Sequence, residues 1–476
     1  MKKLFIYLLT VIGLSCCLVA CYKDKGNYTY HIPPAPVVTH LDSTYSVLLN
    51  DTLTVAPSVT IAEANPRLGY IWRIDVPAGD SGIYFSGLTL KLHFTLPPIT
   101  YNARLTIIDS TNGMQYFYTI AITGMTAYSI GTFILSQEAG VSQLSFVASD
   151  GTMTPRLYRS INGVDLPAGA QQLIPLADTY ILPGLINSYW VICSSGSDPG
   201  VQVDANTFLP IKGFKENFFS SPAGVAPGSF EGSAFGVLLG VASGQLYVGT
   251  NQTWNESPTY GMFGLPATGI STLYRHAAFN STFPYFLGYD TVAQRVVGFT
   301  NFGSPAYIGT GYQVPDSSAF NPMNVGMSLL DFEQINDQNC YAFGREANDS
   351  IYELKFSAAF IGIIQLSPVY KRPFPHPELI TPQTIWGSSP AEVFYFSSGS
   401  TIYSYNPLNQ NLQALAANFG GKTITMIRMA DQGNTLIAGV AGSVFFLDVS
   451  TGKNGNVVRE IDGVPGSPVD VAVRTQ

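Results

Sequence analysis

Seven short apolar or aromatic clusters, each set after a Gly, Ser or Asp turn, recur through the last three quarters of this 476-residue chain. They stand at Leu144-Ser145-Phe146, Val201-Gln202-Val203, Leu246-Tyr247-Val248, Val296-Val297, Ile351-Tyr352, Ile402-Tyr403 and Phe445-Phe446, in steps of 57, 45, 50, 55, 51 and 43 residues. A strand-rich repeat of about 50 residues points to a propeller, and residues 126–476 leave room for about seven blades. The last two copies align best: Gly399-Ser400-Thr401-Ile402-Tyr403 lies over Gly442-Ser443-Val444-Phe445-Phe446. One blade cannot bury both of its faces, whereas blades stacked radially hide each sheet against the next. The best helical candidates, residues 356–366 and 412–418, are short and interrupted. A stack of two or three sandwiches is the alternative architecture.

Residues 37–125 read differently. Apolar alternation at 45–49, 52–55, 68–74, 83–85, 88–94, 103–108 and 115–122, broken by Asn50-Asp51, Pro97-Pro98 and Asn112-Gly113, gives seven short strands. That pattern fits a β-sandwich with Trp72 turned inward. The fold class is therefore all-β, an N-terminal immunoglobulin-like sandwich followed by a propeller. With only 11% charged residues against about 25% in an average domain, and 46% apolar ones, the chain is no coiled coil and no disordered tail.

Residues 1–20 carry an address. Lys2 and Lys3 precede an apolar run over residues 4–14, too short for a stable membrane span of about 20 residues, which marks a signal peptide. Leu18-Val19-Ala20-Cys21 resembles a bacterial lipobox, so Cys21 is the expected lipidation site and residues 21–36, with Pro33, Pro34 and Pro36, a lipidated tether. Removing the leader takes the net charge from −8 to −10, which disfavours nucleic acid and anionic lipid. Only Cys193 and Cys340 then remain, 147 residues apart, and they read as buried free thiols with no zinc-site spacing.

Tyr70-Ile71-Trp72, the run Tyr101, Leu105, Ile107 and Asp109, and the closing strand at 117–122 resemble a PKD-type domain. With the lipobox, the polar start after Cys21 and the strand pair beginning Gly131-Thr132-Phe133, the chain resembles the PKD-like family of Bacteroidetes lipoproteins. It lacks a Gly-Asp-Gly after the first strand; Asn50-Asp51 is the nearest turn. The resemblance implies an outer-membrane lipoprotein, facing the cell surface and accessory to a TonB-dependent transporter that imports glycans or other nutrients. Asp-Ser/Thr triplets such as those at Asp109 and Asp290 resemble the O-glycosylation signal of the same phylum.

Catalytic signatures are missing: no G-x-S-x-G, H-E-x-x-H, P-loop or G-x-G-x-x-G occurs. No catalytic residue, metal or cofactor is assigned. His276 and His376 read as loop or packing residues. Asp331, Glu333 and Asp337, like Glu346 and Asp349, read as solvated turn residues. Aromatics are the better candidates for ligand contact. Trp254 stands in a polar loop with Tyr260 behind it, and Trp386 precedes Gly387-Ser388-Ser389-Pro390; exposed rings of this kind stack on sugars or peptide side chains. Trp190 reads as blade core. The expectation is a non-enzymatic protein binding a glycan or peptide; the alternative is a propeller hydrolase or lyase using carboxylates at the central channel.

Overall fold

The computed structural model describes residues 33–62, 65–76, 82–177, 186–251, 259–267, 269–270, 272–280, 285–302 and 304–475. They fall into two compact units. One takes in the described residues up to Leu96 and Thr100–Gly124, and the other Pro97–Ile99 and the described residues from Met125 onward.

The first unit is a sandwich. Thr44–Leu48, Met114–Met125, Thr100–Asp109, Leu68–Ile74 and Ile83–Ser86 form a five-stranded sheet in that order; Thr52–Val55 pairs with Leu90–His93, and Val37–Thr39 with Ser58–Thr60. Trp72 is fully buried beside Leu105 of the neighbouring strand, and its indole N–H donates to Leu88 O at 3.0 Å. That bond satisfies the one polar atom of the ring inside an apolar core.

In the second unit the described strands form seven sheets, taken here as blades 1–7. From the inner edge outward, blade 1 is Ser467–Arg474, Gly131–Glu138, Val141–Ala148 and Met153–Thr154, and blade 2 is Ala170–Ala177, Ile186–Cys193, Gly200–Asp204 and Pro210–Gly213. Blade 3 is Pro227–Gly232, Leu238–Ala242 and Gln245–Val248, and blade 4 is Ala278–Asn280, Tyr285–Asp290, Arg295–Asn301 and Pro305–Gly309. Blade 5 is Ser328–Asn336, Asn339–Arg345, Ile351–Phe360 and Ile364–Pro373. Blade 6 is Trp386–Ser388, Phe394–Ser398, Thr401–Asn406 and Asn411–Ala414, and blade 7 is Ile424–Ala430, Thr435–Val440, Ser443–Asp448 and Asn456–Asp462. All seven sequence clusters lie on the third strand of their blades.

Side chains alternate between the two faces of a strand, so each blade feeds two cores. In blade 2, Tyr189 packs toward Phe133 of blade 1, while its neighbour Trp190 packs toward Phe230 of blade 3. In blade 6, Phe394 and Phe396 meet Phe343 of blade 5, and Tyr395 between them meets Leu436 of blade 7. Continued around the molecule, apolar clusters fill every junction, including that between blades 7 and 1, where Ile437 and Phe446 meet Ile134 and Val471. Stacked sandwiches have no such last junction. The ring excludes them.

Blade 1 is completed by the C-terminal strand, with Gly131 opposite Arg474 and Phe133 opposite Ala472. A polar belt on the inner strands secures this closure. Asp470 accepts from the Leu173 N–H of blade 2 at 2.7 Å and from Arg428 of blade 7 at 2.7 Å. Gln172 of blade 2 both donates to Phe230 O and accepts from Phe230 N of blade 3. The Ser229 N–H then donates to Arg275 O, beside blade 4, at 2.7 Å. Gly228 permits that approach, because a Cβ there would lie 2.8 Å from Arg275 O.

Three local expectations change. Residues 356–366 are not helical: they form the hairpin between the last two strands of blade 5, turning at Gly362, whose φ of 91° suits glycine. Residues 411–414 are likewise a strand. Among the described residues an α-helix forms at Leu157–Asn162, which carries a left-handed residue at each end and tucks Leu157 and Tyr158 into the core between blades 1 and 2. Cys193 and Cys340 are buried free thiols in blades 2 and 5.

Replacing Asp470 by Ala strips the Leu173 N–H and the Arg428 guanidinium of their common acceptor. Unfolding in urea is expected to show the propeller destabilised by about 2–3 kcal/mol.

Candidate functional site

Two polar features interrupt the apolar ring. The first lies on the inner strands of blades 3 to 6. Asp331 and Glu333, two residues apart in blade 5, point to one face, where Glu231 of blade 3 and Ser388 of blade 6 lie close enough to act on the Glu333 carboxyl. All three carboxylic side chains are half-exposed by accessibility yet enclosed by protein, as the lining of a narrow channel is. Glu231 Oε1 and Asp331 Oδ2 are buried and meet no donor among the described residues.

Burial pushes the Glu231 carboxyl up to about 7. Burial, then the charges of Asp331 and Glu231, raise Glu333 well above the ordinary glutamate range, against a smaller opposing effect of the Ser388 hydroxyl. Asp331 is also raised by burial, and the Arg275 guanidinium opposes the rise. His276, next to Arg275, is pushed down to about 4 by burial and by that cation, so it is neutral at pH 7. Tyr274 joins the group by donating to Leu330 O at 2.9 Å. Asp331 and Glu333 are thus inner-strand residues at the axis. The solvated-turn assignment is corrected: a strand with both flanking faces packed leaves its innermost edge for polar side chains.

The second feature is a recess of about 510 Å³ where the inner strands of blades 4 and 5 end. Its walls include Phe279, Asn280, Gln334, Asn336, Asp337 and Gln338. Below it, Tyr285 binds together the floor: its hydroxyl donates to Ala358 O at 2.9 Å and accepts from Gln334 Nε2 at 2.8 Å and Asn280 Nδ2 at 3.2 Å. Asn280 also donates to Asp337 Oδ1. Phe279 rests on Phe286, ring centroids 4.7 Å apart.

The residues singled out from sequence are dispersed. Cys21 and Trp254 lie outside the described residues. Tyr260 is half-buried and donates to Phe235 O at 2.5 Å, in the hairpin after the inner strand of blade 3. Trp386 opens the inner strand of blade 6 and stacks on Phe343 at 4.7 Å, with Phe396 at 5.1 Å. Those contacts give Trp386 a packing role between blades 5 and 6. Trp190 is blade core. His376 is exposed beside Glu378, and Asp290 caps the Val292 and Ala293 N–H groups of its own hairpin. Among the described residues no three His, Cys, Asp or Glu side chains are arranged to hold a metal, and no helix is long and apolar enough to cross a membrane.

Sequence reading passed over Glu231, Arg275 and Gln334. The usable signal was Asp331-Phe332-Glu333, in which two acidic residues flank an aromatic one, as on a strand with two unlike faces.

The model of the PKD-like family matches residues 21–169. That stretch takes in the whole described sandwich and three strands of blade 1. No curated protein matches the chain. Among solved structures, a quinonprotein alcohol dehydrogenase-like protein from Bacteroides thetaiotaomicron is similar at 14% identity and a TM-score of 0.43, over 94% of this chain and 100% of that one. The extracellular domain of a putative one-component system from the same organism is similar at 10% identity and a TM-score of 0.41, over 91% and 70% of the respective chains.

The raised carboxyls set the sign of a pH effect. They hold protons more tightly in the folded chain than in the unfolded one, so stability falls as pH rises from the ordinary carboxylate range through about 7. Thermal unfolding followed by circular dichroism is expected to give Glu333→Gln a higher midpoint than the unchanged protein at pH 8, and a shallower decline between pH 5 and pH 8.

Proposed function

We propose that this protein is a lipoprotein of the outer membrane, facing the cell surface, whose propeller binds a glycan or peptide without turning it over. In this reading it is accessory to a TonB-dependent nutrient uptake system. The observation that carries the binding role is the recess at blades 4 and 5. Its volume lies within the roughly 300–1,000 Å³ of small-molecule sites, and its walls combine carboxamides, one carboxylate and an aromatic ring. A wall of carboxamides with a single carboxylate suits ligands rich in hydroxyl or peptide groups. The lipobox ending at Cys21 and the apolar run before it support the anchor, and the net charge of −10 after the leader supports a ligand that is not anionic.

Two expected outcomes test this reading. In cells, Cys21→Ser is expected to move the protein from the membrane to the soluble fraction, and the unchanged protein is expected to be cut by protease added to intact cells. In vitro, isothermal titration against neutral oligosaccharides and peptides is expected to give saturable binding with at least one; a flat response throughout would discredit the binding role.

A second reading, a hydrolase or lyase, is favoured by one observation. Glu231, Asp331 and Glu333 gather from two blades at the axis, and carboxyls that keep a proton near neutral pH suit general acid chemistry. If it holds, an oligosaccharide incubated with the protein yields new reducing ends or unsaturated sugars, and Glu333→Gln lowers the rate at least a hundredfold. If it does not, the oligosaccharide is recovered intact.

A further inference from the structure

The Tyr285 hydroxyl fixes the chemistry of the recess. Its one proton goes to Ala358 O at 2.9 Å, the nearer of two acceptors, the other being Asp337 Oδ1 at 3.4 Å. It must therefore receive from Gln334 at 2.8 Å, which assigns the NH₂ of that amide to Tyr285 and turns Gln334 Oε1 the other way. Gln334 Oε1 is buried and has no donor among the described residues. Buried acceptors without partners are rare and cost stability, and Gln334 is a lining residue of the recess, where a ligand can supply the missing donor.

The surroundings narrow the class of that ligand. Among the described residues no lysine or arginine lines the recess, and Asp337 repels anions, so phosphate or carboxylate ligands are disfavoured. An apolar ligand would leave Gln334 Oε1 unpaired and would strip water from the Asp337 carboxylate. Asn280, Gln334, Asn336 and Gln338 bring carboxamides, which donate and accept as sugar hydroxyls do, and Phe279 offers a ring for the apolar C–H face of a pyranose.

We propose that the recess at the ends of the inner strands of blades 4 and 5 is a subsite for a neutral saccharide, in which Gln334 Oε1 accepts from a ring hydroxyl and Phe279 supports the ring. This deepens the binding role above and rests on it.

The test is isothermal titration of the full chain in detergent with maltohexaose, laminarihexaose, mannohexaose and xylohexaose, with spermidine as a cationic probe. At least one neutral hexasaccharide is expected to bind. Gln334→Leu, which keeps the bulk and loses the acceptor, is expected to weaken it at least tenfold, and Gln334→Glu, which keeps an acceptor there, to weaken it less. Should Gln334→Leu lower the melting transition, the double variant Asn336→Ala with Gln338→Ala, at two exposed positions, decides, with a loss of threefold or more expected. Hexasaccharide binding unchanged in these variants would overturn the recess assignment and leave the glycan reading standing. No binding of any hexasaccharide would overturn both. Binding of spermidine alone, lost in Asp337→Asn, would make the recess a cation site and overturn the proposal.

Discussion

Every blade of this propeller is apolar on both faces, and that single condition organises the rest. A sheet with one wet face can stop; a sheet with none needs a neighbour on each side, and a linear stack would always leave two faces bare. The ring is the arrangement without ends. Tyr189 and Trp190 illustrate the condition at the scale of one peptide unit, since adjacent side chains enter different cores. Each buried aromatic of this kind contributes about 1.5–3 kcal/mol through removal from water, so an unpaired face is a heavy loss.

Within such a ring, buried carboxylates are treated in two ways. Glu353, fully buried between blades 5 and 6, accepts from Tyr405 at 2.5 Å and from Arg372 at 3.0 Å, with Tyr370 as a further donor. Its charge is matched on all sides, as burial of an ion requires. Glu231 and Asp331 each keep a buried oxygen without such a partner. The same chain thus matches one buried carboxylate with donors on every side and leaves others with an unpaired oxygen, and only the second kind has bonds left to make with whatever enters the axis.

What could be read from the sequence follows the same physics. The period was legible because it marks third strands, which are packed on both faces and so appear as dense apolar clusters whatever the loops between them do. The sandwich strands were legible from simple alternation around Trp72. Inner strands were not: Ala278–Asn280 is three residues long, and Asp331 and Glu333 look like turn residues until the axis is known. The recess was invisible for a related reason. Asn280, Gln334 and Tyr285 acquire their roles from one another across two blades, and no spacing along the chain encodes that. Trp386, before Gly-Ser-Ser, looks exposed in sequence, whereas Phe343, far away along the chain, stacks on it and leaves it half-buried.

The pairing of Gly131 with Arg474 has a temporal side. Blade 1 receives its innermost strand from the far end of the polypeptide, so its first-made strands must wait, uncovered, through the synthesis of everything between. Long-range pairings of this kind slow folding. Until Ser467–Arg474 docks, the edge of Gly131–Glu138 stays open, so the ring has one closing step on which its completion waits.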